Sequence, residues 1–212
     1  MKSIFHLISI GFIVTFIFSG CATKRGEVSL QTPTSMEAVQ PNGQEVMIRN
    51  VNDARRFETA PSEPNTPSLD PEEAQNSDIR SRAIARKRNT YGKALGDILL
   101  KEGQTVTSVI RDSLAQAFIE KGYKVVTEPT PETIIVDVKV EQFWSWMNPG
   151  FWAITLSTEI STDIDMQRPD GMNKEKVYVK TSGKYQTAAG GNWVEVMHKA
   201  LAEYIAAVKT KI

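Results

Sequence analysis

The sequence predicts an α+β domain, a two-layer sandwich in which a single mixed sheet with a C-terminal antiparallel meander carries two helices on one face. Three observations predict it. Apolar and polar residues alternate through three successive stretches between Ile134 and Tyr185, which is the pattern of an antiparallel meander with one buried face. Residues 105–121 and 192–211 carry apolar side chains at helical spacing. A strand precedes the first of these helices and another follows it, so a right-handed crossover and parallel pairing are expected there.

Taken in order, residues 22–44 are polar, contain Pro33, Pro41 and Gly43, and show no periodicity. They read as a flexible tether ahead of a domain spanning 45–212. Glu45 to Val51 is the first strand, with Val46 and Ile48 on one face. Residues 52–103 read as a long, mostly irregular basic insertion: its first part is rich in Pro, Ser, Asn and Asp. Within it, Tyr91 to Leu100 suits a short strand or a turn of helix. Thr105 caps the first helix, whose buried stripe is Val106, Ile110, Leu114, Ala117 and Phe118, and Gly122 suits the position just past its end. Tyr123 to Thr127 is a short strand.

In the meander, Ile134, Val136, Val138 and Val140 face inward on the first strand. After Asn148-Pro149-Gly150, Trp152, Ile154, Leu156, Ile160, Ile164 and Met166 face inward on the second. After Pro169-Asp170-Gly171, Val177, Val179 and Tyr185 do so on the third. The last helix begins near Asn192, paired with Glu195 as a cap, and buries Trp193, Met197, Leu201, Ile205 and Val208.

The N-terminus has its own logic. Lys2 precedes a nearly unbroken apolar run from Ile4 to Phe18, the length of a signal-peptide core and short of the roughly 20 residues a membrane span needs. The run ends Phe18-Ser19-Gly20, directly before Cys21, the one cysteine of the chain. This resembles the lipobox of bacterial lipoproteins, with Phe18 where Leu is usual. The resemblance implies a signal peptide over 1–20, cleavage between Gly20 and Cys21, a diacylglyceryl group on the thiol and a further acyl chain, such as palmitate, on the new amine. Several acyl chains anchor durably, at about 0.8 kcal/mol per buried methylene. Ala22 stands where Asp would imply retention at the inner membrane, so the resemblance implies the periplasmic face of the outer membrane. The whole chain carries 25 cations and 25 acids. Loss of Lys2 with the leader keeps it near neutral, which gives no argument for nucleic acid as a partner.

The order of elements also resembles the YajG-like lipoproteins of Gram-negative bacteria. The likeness is carried by a strand running into Asp-x-Arg (Val51-Asn52-Asp53-Ala54-Arg55), a helix closing on Lys121-Gly122-Tyr123, and a meander followed by an amphipathic helix. It covers residues 45–55 and 104–210 and leaves 56–103 as an insertion. It implies a cell-envelope lipoprotein without catalytic residues or cofactors, an accessory or scaffold in outer-membrane assembly or maintenance. A more distant likeness is to auxiliary lipoprotein subunits of ABC-type lipid transporters. Similar insert-bearing chains carry a flagellar-assembly label.

The residues themselves offer little chemistry. His6 departs with the leader, so His198 is alone and expected on a helix surface. His/Cys metal sites are excluded by count. Glu159, Asp163 and Asp165 share the solvated face of one strand. There Lys139 is expected opposite Glu159 and Lys176 opposite Asp165, as cross-strand charge pairs.

Two surfaces remain. Arg80, Arg82, Arg86, Lys87, Arg88 and Lys93 form a basic run suited to anionic groups, whether lipopolysaccharide phosphates, peptidoglycan carboxylates or an acidic envelope protein. Trp144, Trp146 and Trp152 continue the apolar face by alternation, which turns Phe143 and Phe151 outward as contact aromatics. The expected partners are therefore the membrane, through acyl chains on Cys21, an envelope component, and a second copy of the chain paired through a free sheet edge.

Overall fold

The three long strands β6 (Ile134–Asn148), β7 (Ile154–Arg168) and β8 (Gly171–Tyr185) pair antiparallel in sequence, as the alternation predicts. The structure, a computed structural model, describes residues 25–35, 38–89 and 91–212. The leader and Cys21 lie outside the described residues. Val136, Val138, Val140, Ile160, Ile164, Val177 and Val179 all enter the main core. The alternation breaks once. A bulge between Val140 and Gln142 places two residues of β6 against one of β7. Every side chain of β6 beyond it therefore changes face. Phe143 joins the main core, whereas Trp144 and Trp146 emerge on the opposite side.

Two helices cover the main core face. In α3 (Val106–Glu120), Thr105 accepts the backbone N–H of Ser108 and the Ser108 hydroxyl bonds back to the Thr105 backbone, a reciprocal cap. The helix ends in a left-handed turn at Gly122, with φ of 85°. The Tyr123 and Gly122 amides bond the carbonyls of Phe118 and Ile119. A Cβ at Gly122 would stand 2.3 Å from the Gln40 carbonyl oxygen, so only glycine fits. The C-terminal helix α4 (Gly190–Lys209) buries Trp193, Met197, Leu201, Tyr204, Ile205 and Val208. It starts earlier than expected, and the Asn192–Glu195 cap does not form. The Asn192 amide instead donates to the Thr187 carbonyl, at 2.8 Å, and the Glu195 carboxylate accepts from the Tyr185 hydroxyl.

Strand β2 (Glu45–Asp53) lies parallel to the first half of β6 and to β5 (Lys124–Val125), a shorter strand than the sequence indicates. The far half of β6 meets a different neighbour. Residues expected as an irregular insertion contain helices α1 (Pro71–Ala74) and α2 (Ser77–Arg82) and strands β3 (Ala83–Arg88) and β4 (Ala94–Leu100). β3 joins β6 in parallel at Ala85 and Ser145 and pairs antiparallel with β4. Among the described residues the sheet thus has eight strands, is mixed, and branches at β6.

The expected tether is also corrected. β1 (Gly26–Val28) adds to β4 in parallel, and Val28 and Leu30 belong to the main core. The Gln104 side chain brackets the Leu30 backbone, and the Ser35 amide donates to Glu120. Gly26 to Leu30 therefore belong to the domain, and only four residues, 22–25, separate Gly26 from Cys21 in the sequence.

The face opposite the helices is not bare. Leu69, Ala83, Leu99, Trp144 and Trp146 form a second core under residues 57–82. Arg55 fastens this layer. Its side chain is fully buried and every guanidinium N–H is used. Nε and one terminal nitrogen grip the Asp53 carboxylate at 2.8 and 2.7 Å. The others donate to the carbonyls of Ala83, Phe143 and Arg80. The Asp-x-Arg sequence thus ties the end of β2 to α2, β3 and the strand beyond the bulge.

Candidate functional site

Among the described residues, no group of three or more His, Cys, Asp and Glu side chains is placed to hold a metal. His198 accepts the backbone N–H of Gln31 at Nε2, 3.2 Å away, so it helps fasten the N-terminal segment. The strand carboxylates are paired, but in a different register from the expected one. Glu159 faces Lys180, Asp163 faces both Lys139 and Lys176, and Asp165 faces Lys174. Glu159 is not on a solvated face. It is 6% exposed and takes bonds from Lys180, Asn65 and Tyr178. The register follows from where the turns fall, with Asn148 opposite Thr155 and Arg168 opposite Gly171, and the loop bearing Asn65 covers Glu159; simple alternation shows neither. A cleft of about 560 Å³ is open and lies between the β7–β8 turn and the loop before β6, lined by Glu45, Thr130, Glu132, Arg168 and Asp170 among others.

The six cations of the basic run do not form one surface. Arg82 binds Asp78, Glu27 and the Leu100 carbonyl. Arg86 is buried and binds Asp70 at 2.6 Å. Arg88 donates to Ser68 and the Gly92 carbonyl. The Arg80 guanidinium lies over the Phe57 ring. Lys87 is half-buried and Lys93 exposed. Most of these charges are used in contacts within the layer and its neighbouring strands.

Arg86 belongs to a cluster that the sequence did not flag. Its Nε lies 3.3 Å from Asp97, and Arg25 bridges Asp97 and Glu73. Asp97 is 3% exposed. Burial, together with the neighbouring Glu73, pushes its carboxyl up to about 6 against the pull of Arg86 and Arg25. Asp97 was visible as the lone acid of the basic run, but its burial depends on β1 and α1 packing over β4.

The aromatic residues divide differently from the expectation. Phe143 is fully buried, and Trp144 and Trp146 fill the second core. Trp152 does not face inward: it is 84% exposed, beside Phe151 at 90%. The two rings meet edge to face, with centroids 4.8 Å apart, on the β6–β7 turn. Gly150 holds that turn tight, since a Cβ there would stand 2.3 Å from the Ala153 carbonyl oxygen. Tyr91, on the β3–β4 turn, is 93% exposed, with its amide held by the Asn89 side chain.

Together these features define an open α+β sandwich whose ionisable groups are largely tied into internal pairs and whose most exposed aromatics lie on strand-connecting turns. Residues 73–212 match the model of a family described as uncharacterized lipoprotein, and the chain belongs to that family. The match takes in residues 73–103, part of the expected insertion. No curated protein matches by sequence. Protein XCC0632 from Xanthomonas campestris is similar in fold, at 12% identity and a TM-score of 0.50, over 87% of this chain and 91% of that one. A crystal structure of an uncharacterized protein is also similar, at 12% identity and a TM-score of 0.49, over 89% of this chain and 98% of that one.

Proposed function

We propose that the chain is a non-catalytic lipoprotein of the YajG-like kind, acylated at Cys21 after removal of residues 1–20. It is held at the periplasmic face of the outer membrane as an accessory or scaffold in envelope assembly or maintenance. The observation that carries the anchor is Cys21 directly after Phe18-Ser19-Gly20, in a chain belonging to a lipoprotein family. The scaffold role is supported by the internal pairing of the polar clusters and by clefts that are open rather than enclosed.

Mass analysis of the protein isolated from cell envelopes tests the anchor. The expected species begins at Cys21 and carries diacylglyceryl and acyl groups, and Cys21→Ala abolishes both cleavage and acylation. A native product with residue 21 unmodified and the leader attached refutes the proposal. Crosslinking in cells tests the scaffold role, with an envelope protein or peptidoglycan as the expected product; turnover of a substrate by the purified domain contradicts it.

A further inference from the structure

Building on the acylation of Cys21 proposed above, we propose that the end of the sheet bearing Tyr91, Phe151 and Trp152 rests in the headgroup layer of the membrane that holds the lipid.

The topology brings these residues to one end. β3 and β6 run parallel and are level at Ala85 and Ser145, so the turns that follow them, at 89–93 and 149–153, leave the sheet on the same side. They stand two strand spacings apart, about 10 Å. β4 runs opposite to β3, and β1 runs parallel to β4 with Gly26 level with Ile98, so the chain leading back to Cys21 also departs at this end.

The reach matches. From Gly26 back to Cys21 an extended chain spans at most about 16–18 Å. Gly26 lies close to the level of Ser145, and β6 climbs about 10 Å from there to Asn148 before the turn adds its own height. A lipid on Cys21 and the aromatic tips therefore reach a common plane. With residues 22–44 as a free tether no such constraint would exist; the docking of β1 creates it.

The chemistry fits the same occupant. Among large hydrophobic side chains of the described residues, Tyr91, Phe151 and Trp152 are the three most exposed, at 93%, 90% and 84%. Tyr and Trp suit the boundary between headgroups and acyl chains, with an apolar body and a polar tip. Lys93 lies on the Tyr91 turn, and Lys184, paired with Thr155, flanks the Trp152 turn; both are exposed and can meet anionic headgroups. Both turns are pre-shaped, by the Asn89 side chain and by Gly150, so insertion requires little reordering.

Tryptophan emission of the full-length lipidated protein tests this, in phosphatidylethanolamine–phosphatidylglycerol vesicles with acyl chains brominated near the headgroup. Trp144, Trp146 and Trp193 are buried, so Trp152 alone is available to the quencher. The expected result is a loss of emission that Trp152→Phe abolishes. Replacing Tyr91 and Phe151 by Ser is expected to weaken the loss while the protein stays in the membrane fraction. If Trp152 is untouched by bromine yet quenched by aqueous iodide, the proposal is overturned. Shielding from iodide in whole envelopes but not in pure lipid vesicles assigns the end to a protein partner and also overturns it. The mass of the same preparation separates the failures. An unmodified Cys21 removes the anchor and this proposal together, whereas an acylated Cys21 without bromine quenching removes this proposal alone.

Discussion

Replacement of Arg55 by Met tests whether the second core layer is held by one buried guanidinium. Met keeps an apolar stem of similar length, so little cavity opens. What is lost is the grip on Asp53 and the donors to the carbonyls of Arg80, Ala83 and Phe143. Removing one partner of a buried ion pair typically costs about 3–5 kcal/mol, and each orphaned carbonyl about 1–3 kcal/mol when nothing replaces its donor. The Asp53 side chain is 19% exposed, so water reaches it and relieves part of the penalty. The expected loss is therefore about 3–4 kcal/mol, a large fraction of the roughly 5–15 kcal/mol of a whole domain. Arg55→Lys supplies fewer donors without the planar fork and is expected to lose about 2 kcal/mol. Adding Asp53→Asn to Arg55→Met removes the stranded charge and is expected to recover about 1 kcal/mol or more. Urea unfolding of the leaderless protein, followed by circular dichroism, measures all of these. A loss below about 1 kcal/mol for Arg55→Met refutes the assignment of Arg55 as the fastener.

The two phenylalanines that alternation paired should behave oppositely. Phe143→Ala is expected to cost about 3–5 kcal/mol in the same assay, while Phe151→Ser with Trp152→Ser changes stability by less than about 0.5 kcal/mol. Similar losses for both would contradict the bulge. Asp97 makes a pH prediction. Its folded carboxyl titrates near 6, above the ordinary 3.8, so between these values the folded state holds a proton that the unfolded state has released. This contribution is fully present below about pH 4 and is lost as pH rises through 6, by at most about 3 kcal/mol. In a comparison of unfolding midpoints from pH 4 to 7, wild type should lose stability relative to Asp97→Asn as pH rises; parallel curves would refute it.

Much of the fold was legible locally. The period of two in β7 and β8 and the helical period in α3 and α4 depend on one face meeting apolar neighbours, and they survive folding intact. The segments that were misread lack such a period. Ala83 to Arg88 and Ala94 to Leu100 are covered on both faces or hold buried charges. Their sequence therefore shows no polar face. Gly26 to Val28 is too short to display a period. Arg55 was visible within Asp-x-Arg, but its role required three carbonyls from distant parts of the chain.

The case for a lipid anchor rests on a short linear pattern, Phe18-Ser19-Gly20 before Cys21, so it is carried by sequence alone. Helices, meander and fold class followed from periodicity for the same reason: each is a property of neighbouring residues. The face occupied by Phe143, Trp144 and Trp146 was decided by a one-residue bulge. The gathering of Tyr91, Phe151 and Trp152 at the sheet end where β1 begins was decided by how β1, β3, β4 and β6 pair. Register and strand order join residues far apart in sequence, and only the packed sheet selects among the pairings that local pattern allows.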